Sequence, residues 1–317
     1  MFMVLTVHAD YQVFGQPTAE MVRTRFIDAL TINFFESAAI IGVNIFVLIS
    51  GWFGIRSSLR GFLNFIFQVL FFNFLWVGYF LISGELSFSP KLITDALLIT
   101  ANNWFVTCYA VLYIFSPILN YYLDNAPKRQ QALLLLAFFA AQTVWGIASR
   151  NEAFNLGYST TSFFGLYLLS GHIRRYTSET CNKTGEIIAY LSITLLITGM
   201  LLVIEYFGYT FGAALLNYSN PLCIISSVTL LLAFSKMNLG HNRIINYIAS
   251  SAFAVYLFHC TPALFKQHPY KLMIEQMNDL GGVWAIGLSL IVVFALAVII
   301  DQPRKWLWRY ISSHIRP

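Results

Sequence analysis

The chain has 317 residues, of which 58% are hydrophobic and 10% charged, and its mean hydropathy is +0.67. Soluble domains carry about 25% charged residues, so the composition excludes a water-soluble enzyme and describes an integral membrane protein. The formal net charge of +5 follows from basic loops on one membrane face, as counted below, and is no nucleic-acid footprint.

The opening run MFMVLTVHAD is apolar but holds only seven residues before His8. That is too short to cross a bilayer, and the basic flank and small-residue cleavage site of a signal peptide are missing. We read it as a first transmembrane helix that has lost its beginning; a short non-spanning helix is the alternative. Nine complete spans follow, at 34–55, 61–83, 103–123, 130–149, 162–171, 186–207, 221–234, 247–266 and 281–300. The fifth is short and is expected to extend from about Leu156 to the basic pair Arg174–Arg175. The expected fold is therefore an all-α integral membrane bundle of about ten transmembrane helices, the first incomplete, forming one domain over residues 1–317.

Lys and Arg collect in cytoplasmic loops. With the N-terminus inside, the inner loops hold 13 of the 19 basic residues, and the outer loops hold Arg23, Arg25, Lys91, Arg150, Lys266 and Lys271. Both termini are thus expected in the cytoplasm. Trp306, Trp308 and Tyr310 suit an interfacial aromatic belt. Cys108, Cys181, Cys223 and Cys260 show no metal-ligand spacing and are expected to be free thiols. No phosphate-binding glycine loop or GxSxG elbow occurs.

Ionisable and amide groups at membrane depth are costly to desolvate and are functional candidates by default. Asn33, Ser37, Asn44 and Gly51 share one helix face, with Glu36 and Ser50 on its flank. Hydrogen bonding between helices accounts for Asn44, Ser50 and Gly51 without chemistry. Glu36 is either a solvated interfacial carboxylate or a group that orients an imidazole. Glu205 is expected to snorkel to the interface. His8 has the chemistry of a general base, since a neutral imidazole takes a proton near working pH; a structural histidine is the alternative. Tyr256 and His259 share a face at i, i+3, suited to packing or gating before substrate contact. Arg56 and Arg60 suit either the phosphates of an anionic cytosolic ligand or orientation alone, and Arg174 and Arg175 carry the same two readings. No serine or cysteine is visibly paired with a base.

Four segments together resemble the acyltransferase 3 family of ten-helix membrane acyltransferases. They are LTVHAD with His8, GVNIFVLISGWF at Gly42–Phe53, NWFVTCYAVLYIFSPILN at 103–120, and SAFAVYLFH at 251–259. They occur in the family's order over nearly the whole chain. The family pairs its helix-one histidine with an earlier arginine, a position that would precede Met1 here. It also often carries basic residues at the start of helix three, where Asn64, Phe65 and Gln68 stand.

The resemblance implies transfer of an acyl group, usually acetyl, from cytosolic acyl-CoA to a sugar hydroxyl of a surface or lipid-linked polysaccharide. It implies no bound cofactor, acyl-CoA being the donor substrate. His8 would be the general base, with Arg56, Arg60, Asn44 and Ser50 towards the donor. Glu36, Trp104, Tyr256 and His259 would orient groups or contact substrate, and Trp104 and Tyr270 are placed to stack on a sugar. The expected setting is the bilayer of a bacterial inner or plasma membrane. A flippase for a lipid-linked glycan and an inactive assembly subunit are the competing classes. A requirement for acyl-CoA separates the enzyme from the flippase.

Overall fold

The structure, a computed structural model, describes residues 1–149, 151–176, 182–209, 211–237, 240 and 242–314. Cys181 and the basic residues Arg150 and Arg316 lie outside these. Every regular element among the described residues is helical, and a helix satisfies its own backbone groups where lipid offers them no partner. In chain order they are α1 (Phe2–Ala9), α2 (Tyr11–Phe14), α3 (Ala19–Thr24), α4 (Phe26–Ala39), α5 (Gly42–Phe53), α6 (Leu59–Ile82), α7 (Pro90–Ala96) and α8 (Trp104–Asn125). There follow α9 (Lys128–Ala141), α10 (Thr160–Tyr176), α11 (Lys183–Tyr206), α12 (Pro221–Ser235), α13 (Arg243–Ala249), α14 (Ala252–Cys260) and α15 (Pro269–His314).

Among the described residues, seven segments are long and apolar enough to cross a membrane: Phe26–Phe53, Leu59–Ile82, Trp104–Asn125, Lys183–Tyr206, Phe211–Ser235, Arg243–Phe265 and Pro269–His314. The expected spans 130–149 and 162–171 are helical too but fall short of that measure. The 14 residues of α9 run on only through a π-helical stretch, Gln142–Ala148, and α10 has 17 residues. Two expected spans are subdivided. The polar stripe runs over α4 and α5, which meet at a turn at Ile40 and Ile41, and 247–266 comprises parts of α13, α14 and a 3-10 turn at Thr261–Phe265. The last expected span lies inside the 46-residue α15, broken at Gly281 and Gly282. Gly282 has φ +58° and ψ −143°, backbone space open only to glycine.

Local sequence explains the helix ends. Ser58, Ser89, Asn182, Asn220 and Asn242 each accept a backbone N–H at the start of α6, α7, α11, α12 and α13, satisfying a donor the helix leaves orphaned. Pro90 and Pro221 occupy first-turn positions, where proline's missing N–H costs nothing. Pro117 sits inside α8 and would strip Tyr113 of its hydrogen bond, but the Ser116 hydroxyl donates to that carbonyl at 2.8 Å.

The chain forms two compact units. In the larger, Thr6–Arg56 and Cys108–Asn238, α5 packs on α10 and α12, and α11 packs on α3, α4 and α12. The hydroxyl of Ser170 on α10 donates to the Leu48 carbonyl of α5, and that of Tyr190 on α11 to the Ala38 carbonyl of α4 at 2.9 Å. In the smaller, Met1–Leu5, Ser57–Thr107 and Leu239–Pro317, α6 packs on α7, α14 and α15. Its core includes Val77, Phe80, Leu92, Ala96 and Phe265.

Candidate active site

In the larger unit, His8 closes α1 and is partly buried. Just beyond it begins a buried polar network. The Tyr11 hydroxyl donates to Asn33 Oδ1; Asn33 Nδ2 donates to Glu205 Oε2 at 2.6 Å; Gln16 Nε2 donates to Glu205 Oε1 at 3.1 Å. The backbone N–H of Tyr11 donates to the Glu36 carboxylate. Glu205 and Glu36 are each 3% exposed. The expected snorkelling of Glu205 is thus wrong, because Asn33 and Gln16 donate the hydrogen bonds that interfacial water would have supplied. Glu36 is likewise no solvated interfacial carboxylate. Asp10 Oδ2 and Glu36 Oε2 are buried without a hydrogen-bond partner among the described residues. Burial pushes the Asp10 carboxyl, in the connection between α1 and α2, up to about 8, against the smaller opposing effect of a backbone hydrogen bond at Glu36.

Further along the same stripe, Asn44 Nδ2 donates to the Tyr218 carbonyl at 3.0 Å. Ser50 donates to the Phe46 carbonyl at 3.0 Å and lies 3.1 Å from the Tyr109 hydroxyl. These three contacts are those of hydrogen bonding between and along helices. Arg56 is exposed at the end of this segment. Arg174 donates to the Trp52 carbonyl and Arg175 pairs with Asp124, so each has a partner that holds the chain.

In the smaller unit, Tyr256 and His259 do share a face of α14, their ring centroids 6.1 Å apart. The Tyr256 hydroxyl donates to Asn103 Oδ1 at 2.7 Å, and Tyr270 lies against the His259 ring at 5.3 Å between centroids. The Tyr270 hydroxyl donates to the Leu5 carbonyl at 2.8 Å. Trp104, partly buried, begins α8 with its ring edge-on to Phe105. Arg60 is exposed, and its Nη2 donates to Ser312 Oγ at 2.9 Å.

Two features of this unit escaped the sequence. The first is a thiol–imidazole pair: Cys260 Sγ lies 3.3 Å from His259 Nε2, while His259 Nδ1 lies 2.6 Å from the Val255 carbonyl. The second is a buried charge cluster on α15. Asp301 Oδ1 accepts from Arg304 Nε at 2.8 Å, and Asp301 Oδ2 lies 3.3 Å from Lys305 Nζ. Gln68 Nε2 donates to Asp301 at 3.3 Å, and Arg304 Nη1 donates to Asn64 Oδ1 at 3.0 Å. The amide at position 64 therefore receives a basic group from α15, while that at position 68 meets the carboxylate of the same cluster. Among the described residues Cys108, Cys223 and Cys260 form no disulfide, as expected.

A family model described as an acyltransferase domain matches residues 1–301 of the chain. No curated protein and no solved structure matches it.

Proposed function

The chain belongs to the acyltransferase 3 family, and from that premise we propose that it moves an acyl group, acetyl in the simplest case, from cytosolic acyl-CoA to a sugar hydroxyl of a surface or lipid-linked polysaccharide. The family match over 301 of 317 residues carries this reading, and the multi-pass helical fold supports it. The protein sits in the cell membrane with both termini in the cytoplasm, an orientation that rests on the 13 to 6 distribution of basic residues.

Arg56 and Arg60 meet the phosphates of the donor on the inner face, where charge-assisted bonds are strong. Asn44 and Ser50 also serve donor binding. His8 takes the proton of the acceptor hydroxyl as its oxygen attacks the acyl carbon. Glu36 orients polar groups, and Trp104, Tyr256 and His259 serve substrate contact.

Mass spectrometry of envelope glycans from a strain lacking the gene tests the reading. An O-acyl mass increment is expected to vanish in the deletion, return with the wild-type chain and stay absent with a well-expressed His8→Ala chain. Removal of a general base slows transfer roughly 10²–10⁴-fold. Unchanged acylation with reduced export of glycan would replace the enzyme with a transporter.

A further inference from the structure

We propose that Cys260 carries the acyl group as a thioester between donor and acceptor, with His259 as the base that activates its thiol. The proposal rests on the donor being acyl-CoA, as above. A nucleophile is recognised by a base within hydrogen-bond reach and by a third group that orients the base. Here the base is His259 and the orienting group is the Val255 carbonyl. A carbonyl oxygen only accepts, so the 2.6 Å contact puts the proton of the neutral imidazole on Nδ1. Nε2 is then left with its lone pair, and Cys260 Sγ lies 3.3 Å from it.

The surroundings hold this arrangement. The rings of Tyr256 and Tyr270 flank the imidazole, and each tyrosine hydroxyl is anchored, to Asn103 and to the Leu5 carbonyl. His259 is buried and Cys260 partly buried, so packing fixes the base beside the thiol. The other described thiols differ. Cys108 and Cys223 are buried, and the Cys223 thiol donates to the Leu215 carbonyl at 3.2 Å.

The chemistry balances in two stages. Sγ bonds to the acyl carbon of acyl-CoA as its proton passes to His259 Nε2. The bond from that carbon to the CoA sulfur breaks, and the same proton goes to the departing sulfur, giving free CoA and S-acyl-Cys260. The acceptor oxygen then bonds to the acyl carbon, the carbon–Sγ bond breaks, and the hydroxyl proton goes to solvent. The thiolate regains a proton from solvent. One thioester is exchanged for another in the first stage, so the acyl group keeps its reactivity for the second.

The test uses the full chain in lipid nanodiscs with radiolabelled acetyl-CoA and no acceptor. The wild type is expected to release CoA and to carry label on the peptide containing Cys260. Neutral hydroxylamine, which cleaves thioesters and spares oxygen esters, is expected to remove that label, and glycans from the deletion strain are expected to chase it off. Cys260→Ala, with wild-type elution on gel filtration, is expected to lose both label and transfer. His259→Gln is expected to slow labelling roughly 10²–10⁴-fold. A wild type that transfers acetyl groups without a thioester at Cys260 overturns the proposal and leaves the acyltransferase reading intact, as does a Cys260→Ala chain that transfers at the wild-type rate. A wild type that consumes no acetyl-CoA with or without glycans removes both.

Discussion

Gly51 on α5 lies so close to Tyr167 on α10 that a Cβ at position 51 would stand 2.3 Å from the Tyr167 carbonyl oxygen. The obstructing atoms are backbone, with Tyr167 Cα at 2.8 Å and its carbonyl carbon at 2.9 Å, so no rotamer change relieves them. Small residues let membrane helices approach in this way. Gly51→Ala is expected to force the two helices apart and cost about 1–3 kcal/mol, the usual range for overpacking. Thermal denaturation in detergent measures it. Gly78→Ala on α6, where a Cβ meets nothing within 4 Å, is expected to leave the midpoint unchanged.

Asp301 is fully buried against Arg304 and Lys305, and removing it leaves the buried Arg304 without its counter-charge. Breaking a buried pair from one side costs about 3–5 kcal/mol, whereas replacing both members by apolar groups is often near neutral. Asp301→Ala is therefore expected to denature at a markedly lower temperature than wild type. The double variant Asp301→Ala/Arg304→Met is expected to recover much of the loss. Equal destabilisation by the two would show that the charges are not coupled.

These residues show what periodicity reveals and what it hides. Asn33, Ser37, Asn44 and Gly51 were legible because helical spacing puts them on one face, and all four are buried. Glu205 was misread because its place near a helix end suggests an interface, and only the fold brings Gln16 and Asn33 to it. Asp301 beside Arg304 and Lys305 has the sequence pattern of a solvated helix end; its burial depends on packing in the smaller unit. Cys260 and His259 are sequence neighbours, which on a helix diverge by about 100°, so the spacing gave no sign that their side chains would meet. The number of spans was legible only in outline, because the π-helical stretch after α9 and the short α10 lie at the margin of what hydropathy resolves.

Asp10 makes stability depend on pH. Its carboxyl would lose its proton near the ordinary value of 3.8 when exposed by unfolding, but the folded protein holds that proton until about pH 8. Between those values the unfolded chain has released more protons than the folded one, so stability falls as pH rises from about 4 to about 8 and levels off above. Asp10→Asn is expected to flatten this slope while nearly preserving size. Denaturation midpoints between pH 5 and 9 test it; parallel slopes for the two chains would refute the assignment.

Arg60 is expected to act on donor binding rather than on the chemical step. Arg60→Ala should raise the KM for acyl-CoA roughly tenfold, the loss of one charge-assisted contact, with kcat little changed. The same substitution should weaken the salt dependence of KM. A fall in kcat at constant KM would place Arg60 elsewhere in the cycle.

The charge cluster on α15 also bears on how the protein reaches its membrane. Asp301 finds its counter-charges three and four residues further along the same helix, so neutralisation does not await the arrival of a partner helix. A nascent segment ending in this way carries its own ion pairs to the bilayer, where an isolated charge would oppose insertion. Gln68 and Asn64 on α6 were made some 230 residues earlier in synthesis and complete the hydrogen bonds once α15 docks. The helix thus arrives already neutralised in part and acquires its last polar contacts only in the assembled protein.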